Sequence, residues 1–112
     1  MIQIEIRLDQ RGALLGFAVS GHAGSAPRGE DLVCAAVTVL FRTAARLLQL
    51  HPDIRIRGNA SDSGRMDLTI EALPAEKRQW LAGLSDLLVR GSRDLQEENP
   101  KAIALRVTEG EV

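Results

Sequence analysis

One short segment of the chain holds the side chains best suited to covalent chemistry. The 112-residue sequence has a single cysteine, Cys34, and two histidines, of which His22 is the nearer to it. A thiolate is a strong nucleophile, and an imidazole within reach can take the thiol proton and later return it to a leaving group. Two ordinary interpretations stay open from these residues alone. A lone cysteine among valine and alanine is often a small buried side chain, and a histidine in a glycine-rich turn often has no chemical role.

The elements that position this pair are predicted to be a loop and a helix. The loop is indicated by Gly21, Gly24, Pro27 and Gly29, which lie among small residues. A helix is expected to begin near Asp31, because aspartate is a preferred N-cap, and to end near Leu50. Cys34 would then lie in the first helical turn. There the exposed amides would lower the pKa of the thiol and stabilise an oxyanion.

The predicted helix carries an apolar stripe and two further polar candidates. The stripe consists of Val33, Val37, Leu40, Phe41, Ala44, Leu47 and Leu48, which recur at helical spacing. Thr38 follows Cys34 by one turn on the same face, so its hydroxyl bonds either near the thiol or back to its own helix. His51, just before Pro52, is predicted to end the helix and not to serve as a second base.

The glycine loop and the helix start together resemble a known signature. Gly21-His22-Ala23-Gly24, followed by the segment from Gly29 to Val37, is similar to the ribosomal-processing cysteine protease family, called Prp or YsxB-like. The resemblance is dense from Gly21 to Leu40. The sequence departs from the usual family pattern at Ser25, Pro27 and Thr38. A bulkier residue is frequent at the position of Ser25, and serine is usual at the position of Thr38. Ser25 and Pro27 alter the loop, whereas Thr38 keeps the hydroxyl.

The resemblance implies an activity and roles for particular residues. It implies a small cytoplasmic cysteine endopeptidase that removes the N-terminal extension of a large-subunit ribosomal protein, number twenty-seven, during ribosome assembly. It makes Cys34 the nucleophile and His22 the catalytic histidine. Gly21, Gly24, Gly29, Asp31 and Thr38 become substrate-binding or supporting residues. No third catalytic residue is evident, because a capping role is the better interpretation of Asp31.

The remaining pattern predicts an α+β fold with two helices packed on a mostly antiparallel sheet, in the order β-β-α-β-β-α-β. Residues 2–8 alternate, and Leu14 to Ser20 forms a second strand. Strands around Ile54 and Ile56, and around Met66 to Ile70, flank a turn from Gly58 to Gly64. The second helix is predicted to open at Pro74, with an apolar stripe of Trp80, Leu81, Leu84, Leu87, Leu88, Gly91 and Leu95. A last strand holds Ile103, Leu105 and Val107, after which residues 108–112 are expected to fray.

Composition bounds the class of protein. The length fits a single peptidase domain over residues 1–112. A net charge of −1 and 3% aromatic residues argue against direct nucleic-acid binding. We expect no metal, because Asp62 and Asp67 lack ligand spacing with histidine or cysteine, and no other cofactor. A single cysteine favours a reducing compartment, and no signal peptide, membrane partner or apolar run of membrane-spanning length is expected.

Three functions stay open from the residues. The first is the cysteine endopeptidase, and the alternative is a non-catalytic, ribosome-associated binding module whose glycine loop recognises its partner. A redox sensor is weaker, because Cys34 has no resolving cysteine. For the endopeptidase, we expect residues 23–30 to be mobile without substrate and to order when peptide binds. A homodimer is expected through exposed apolar surface on the second helix, as the family resemblance also implies.

Overall fold

The computed structural model describes the backbone of residues 1–21, 28–61 and 64–111, and the side chains of these except 28–31, 61 and 111. Five strands and two long helices follow one another along the chain. These are β1 (Ile2–Asp9), β2 (Leu14–Ser20), α1 (Arg28–Gln49), β3 (Arg55–Ser61), β4 (Arg65–Ala72), α2 (Arg78–Glu98) and β5 (Ile103–Glu111), with a 3-10 turn at Ala75–Lys77 before α2. The predicted element order is confirmed.

The strands form one mixed sheet in the order β3-β4-β2-β1-β5. Three of its four pairings are antiparallel, and β1 and β5 are parallel, with Ile4 beside Leu105. The prediction of a mostly antiparallel sheet is therefore correct. Because a parallel pair needs a crossover, β5 reaches the side of β1 only after the chain has passed through α2.

Both helices pack on one face of the sheet, and the core lies between the two layers. The helix α1 buries Val33, Val37, Phe41, Ala44 and Leu48, and α2 buries Leu81, Leu84, Ser85, Leu88 and Ser92. They meet the inward residues of β1, of which Ile6 is completely buried. An added Cβ at Gly91 would lie 3.1 Å from a methyl of Leu40, so glycine lets α2 approach α1 closely.

Several predicted boundaries were wrong. The turn expected from Gly58 is strand as far as Ser61, because β3 and β4 pair along that length. Pro74 precedes a 3-10 turn, and α2 begins only at Arg78. The last strand continues to Glu111, because it pairs with β1 up to Asp9. The predicted start of fraying at residue 108 is therefore too early. Leu87 leaves the predicted stripe and is 58% exposed.

The prediction that no apolar run reaches membrane-spanning length is wrong for α1. Residues Leu32–Gln49 are, by length and composition, apolar enough to cross a membrane, with a mean hydropathy of 1.5. In this fold the apolar stripe from Val33 to Leu48 covers the sheet instead. Arg42 and Arg46 lie on the same helix and are exposed. The helix is therefore a core helix of the sandwich.

Candidate active site

The predicted nucleophile lies near the start of α1. Cys34 is half-buried and packs against the hydrophobic core, beside the fully buried stripe that Val33 and Val37 belong to. Its neighbour one turn further, Thr38, is exposed. The two side chains share one flank of the helix, as their spacing predicts.

The start of α1 differs from the expectation. The helix begins at Arg28, so Gly29 and Asp31 are helical residues, and Cys34 lies in the second turn. Only the first four N–H groups of a helix lack an intrahelical acceptor, and here these belong to residues 28–31. The predicted first-turn position of Cys34 and the N-cap role of Asp31 are therefore wrong. The stronger signal was Pro27, since proline suits the start of a helix.

The other side of the site is built on the end of β2. Ser20 pairs with Gln3 and Arg65, and Gly21 follows it with a φ of +86°. An added Cβ at Gly21 would overlap the carbonyl oxygen of Met1. Both the left-handed backbone and the close approach therefore require glycine here. Gly21 thus fixes the direction in which the chain leaves β2 toward His22.

Part of the predicted site lies outside the described residues. Residues 22–27 are not described, and they include the predicted site residues His22 and Gly24. The predicted mobile segment 23–30 belongs to this group except for its last three residues, which are helical. Asp31 has a described backbone only. Of the predicted site residues, the structure fully describes Gly21, Cys34 and Thr38, and it places Cys34 and Thr38 one turn apart on α1.

The second histidine has a separate environment at the opposite end of α1. His51 Nδ1 lies 2.7 Å from Lys77 Nζ, and the His51 and Trp80 rings are 4.1 Å apart. Lys77 also pairs with Asp53 at 3.6 Å. From Cys34 to Gln49 the helix rises about 22 Å, because each residue adds about 1.5 Å. His51 therefore ends the helix as predicted and stays far from the thiol.

A groove that the sequence analysis missed runs beside α1, toward β3 and β4. Its volume is about 380 Å³, and its walls include Arg42, Ala45 and Gln49 of the helix and Ile56, Ala60 and Met66 of the strands. The only sequence signal was the i, i+4, i+8 spacing of Cys34, Thr38 and Arg42. Across the described ranges, no group of three or more histidine, cysteine, aspartate or glutamate residues could hold a metal ion. Asp67 instead pairs with Arg65 at 3.5 Å.

Cys34 is thus a half-buried thiol on a core helix. The profile of the family described as cysteine protease Prp matches residues 1–104. The chain therefore belongs to this family of cysteine proteases. The ribosomal processing cysteine protease Prp of Bacillus subtilis is 48% identical over 40 residues, a match that spans 36% of either chain.

Solved structures show the same fold over almost the whole chain. SMU.848 from Streptococcus mutans is 25% identical, with a TM-score of 0.78 over 97% of this chain and 95% of that one. The essential ribosomal processing protease Prp from S. aureus, in complex with a substrate peptide, is 17% identical. Its TM-score is 0.79 over 96% of this chain and 100% of that one. The two-layer α+β architecture is therefore shared with proteins of this family.

Proposed function

We propose that this chain is a cysteine endopeptidase that removes the N-terminal extension of a large-subunit ribosomal protein. The substrate in this proposal is ribosomal protein number twenty-seven, which the family resemblance implies. The relatives support the substrate class, because two of them are described as ribosomal processing proteases. Residues 1–112 form the single peptidase domain of this proposal. The partner is the extension peptide, in an extended conformation that a protease can cut.

One observation carries the assignment of the nucleophile. A cysteine protease needs a thiol, and this chain has only Cys34. Its position on α1 supports the role, because it is half-buried and not enclosed in the core. The Cα–Cβ bonds of a helix tilt toward its N-terminus, and Cys34 lies in the turn that follows the free amides of residues 28–31. Those amides are candidates to stabilise a developing oxyanion.

The assignment of the base follows from the geometry of the other histidine. His51 is bonded to Lys77 and lies at the far end of α1 from Cys34. His22 directly follows Gly21 in the sequence, and Gly21 is the residue that comes after the end of β2. We therefore assign His22 as the general base. Gly21, Gly24 and Gly29 would shape its loop, and Asp31 and Thr38 would support the thiol.

The proposed reaction uses these two side chains in turn. His22 takes the proton from the Cys34 thiol as the sulfur attacks the scissile carbonyl carbon. The imidazolium then gives that proton to the leaving amine, which releases the mature protein and leaves a thioester on Cys34. A water molecule, deprotonated by His22, hydrolyses the thioester and releases the extension as an acid. The thiol is thereby restored.

The decisive experiment uses a peptide that spans the extension junction of the ribosomal protein encoded in the same genome. Wild-type protein is expected to cut it, and Cys34→Ala to cut it at a rate below about 10⁻³ of wild type, since the nucleophile is lost. Products are identified by mass spectrometry, and equal unfolding curves show that the variant is folded. Binding without cutting by the wild type would overturn the proposal in favour of a binding module.

We also propose that the protein works as a homodimer in the cytoplasm, without a membrane or nucleic-acid partner. The exposed apolar side chains among the described residues support association, but they are not concentrated on the second helix as expected. Three lie on α1 and one on α2, and the other two lie outside the helices: Leu32, Val39 and Leu47; Leu87; Met1 and Leu50. Sedimentation of the purified protein tests this, and a monomer at micromolar concentration would contradict it.

A further inference from the structure

The groove between α1 and the β3–β4 hairpin has an apolar floor and a basic rim. The floor is formed by Ala45, Ile56, Ala60, Met66 and Leu68, and the rim by Arg42 and Arg46. Its volume of about 380 Å³ lies in the range of pockets that bind ligands. On the face that carries Ile56, β3 continues only with Gly58 and Ala60, so no large side chain of this strand fills the groove. At Gly58 an added Cβ would lie 2.6 Å from the Asp67 carbonyl oxygen.

The groove lies on the same flank of α1 as Cys34. At 100° per residue, positions i, i+4, i+8, i+11 and i+15 of a helix fall on one side. Counted from Cys34, these are Thr38, Arg42, Ala45 and Gln49, and the last three line the groove. Thr38 is exposed between the thiol and Arg42. A single surface track therefore leads from the groove to the sulfur.

The length of this track sets the register of a bound peptide. From Cys34 to Arg42 the helix rises about 12 Å, since eight residues each add about 1.5 Å. An extended peptide covers about 3.3 Å per residue. A chain lying along the track therefore places a residue about four positions from its scissile bond beside Arg42.

We propose that the groove binds the part of the substrate that precedes the scissile bond, and that Arg42 selects an acidic side chain about four residues before that bond. This inference rests on the proposed function, because it takes Cys34 as the nucleophile. It also takes the N-terminal extension, which lies before the scissile bond and is absent from the mature protein, as the segment that the enzyme recognises. The guanidinium of Arg42 has no ion pair within the described part of the chain, whereas nearby Asp67 is paired with Arg65. Arg42 is exposed, so a carboxylate on the substrate can reach it.

The test exchanges charges on both partners. Two junction peptides carry glutamate or lysine at the fourth position before the scissile bond. Wild-type protein is expected to cut the glutamate peptide with a kcat/KM about two- to tenfold higher than the lysine peptide, because the exchange replaces the attraction of one exposed charge pair by a repulsion of similar size. Arg42→Glu is expected to reverse this preference. The change should appear in KM and leave kcat nearly constant, because the contact is the same in ground and transition states.

The matched control is Arg93→Glu, the same charge change at an exposed residue of α2 away from the groove. It is expected to keep the wild-type preference. Equal preferences in wild type and Arg42→Glu, or a reversal also in Arg93→Glu, would overturn the role of Arg42. Binding of the same two peptides to Cys34→Ser protein gives a readout without turnover. Selective binding there, with no cutting by the wild type, would contradict the proposed function and leave the groove assignment standing.

Discussion

The hydroxyl of Ser85 joins the second helix to the second strand. Its Oγ accepts a hydrogen bond from the Leu14 backbone N–H at 2.9 Å, and donates one to the Leu81 carbonyl at 2.7 Å. Ser85 is 1% exposed. At this point the register of β1 and β2 shifts, so that Leu14 pairs with Leu8. The serine therefore satisfies an N–H group that water cannot reach.

Ser85→Ala is expected to lower the free energy of unfolding by about 1–3 kcal/mol, because it leaves the Leu14 N–H buried without an acceptor. Urea denaturation at pH 7 measures the change. The matched control is Ser92→Ala on the same helix, where the buried Oγ has no hydrogen-bond partner in the described structure. That substitution is expected to be neutral or slightly stabilising. Equal losses for the two variants would contradict the role given to Ser85.

The fold was largely predictable from the sequence, since its strongest signal is periodicity. The alternation from Ile2 to Leu8 and the helical stripe from Val33 to Leu48 both become buried faces. The order of the sheet was not predictable in this way. Nothing local to Ile103 or Val107 indicates that β5 lies parallel to β1, because that pairing depends on contacts across the whole chain.

The site was predictable in its residue types but not in its surroundings. Cys34 stands out as the only thiol, whichever turn of the helix it occupies. The start of α1 was predicted three residues too late, because the capping preference of Asp31 was taken as the start signal and Pro27 was assigned to the loop. The groove beside Arg42 joins a helix to a distant hairpin, so no local pattern reveals its apolar floor.

Asp9 makes the stability of the folded protein depend on pH in the acid range. Burial alone would raise the pKa of its carboxyl group. Hydrogen bonds from the Ala13 N–H, the Arg78 guanidinium and the Arg11 N–H outweigh burial and hold the pKa below its ordinary value of 3.8. A lowered folded-state pKa adds stability above the unfolded value, and this stability is lost as pH falls through the folded value. Asp9→Asn is therefore expected to destabilise the protein at pH 7 and progressively less below pH 3.8.

Urea denaturation of wild type and Asp9→Asn between pH 7 and pH 2.5 measures this difference. Arg78→Gln serves as the control, since it removes one of the three hydrogen bonds and keeps the two from the β1–β2 turn. It is expected to show a smaller pH dependence in the same direction relative to wild type. A stability difference between wild type and Asp9→Asn that stays constant over this range would show that Asp9 acts through packing and not through its charge.

Gly21→Ala is expected to reduce peptide cleavage by at least tenfold and to lower stability. Alanine at a φ of +86° is strained, and its Cβ would also overlap the Met1 carbonyl oxygen, so the backbone before His22 must move. Gly12→Ala is the matched control, because Gly12 has a φ of +81° and no atom within 4 Å of an added Cβ. It is expected to cost about 1–2 kcal/mol of stability and no activity. Equal cleavage rates for both variants would contradict the positioning role of Gly21.

The two histidines give the sharpest test of the catalytic assignment. His22→Ala is expected to reduce kcat by at least about 10³-fold with little change in peptide binding, because the thiol loses its base. His51→Gln is expected to keep full activity and to lose stability, since His51 contacts Lys77 and Trp80 far from the thiol. Cleavage rates, unfolding curves and peptide affinity of both variants are compared at pH 7. Loss of activity in His51→Gln alone, in a variant that remains folded, would show that the base is His51 and that the helix end reaches the site.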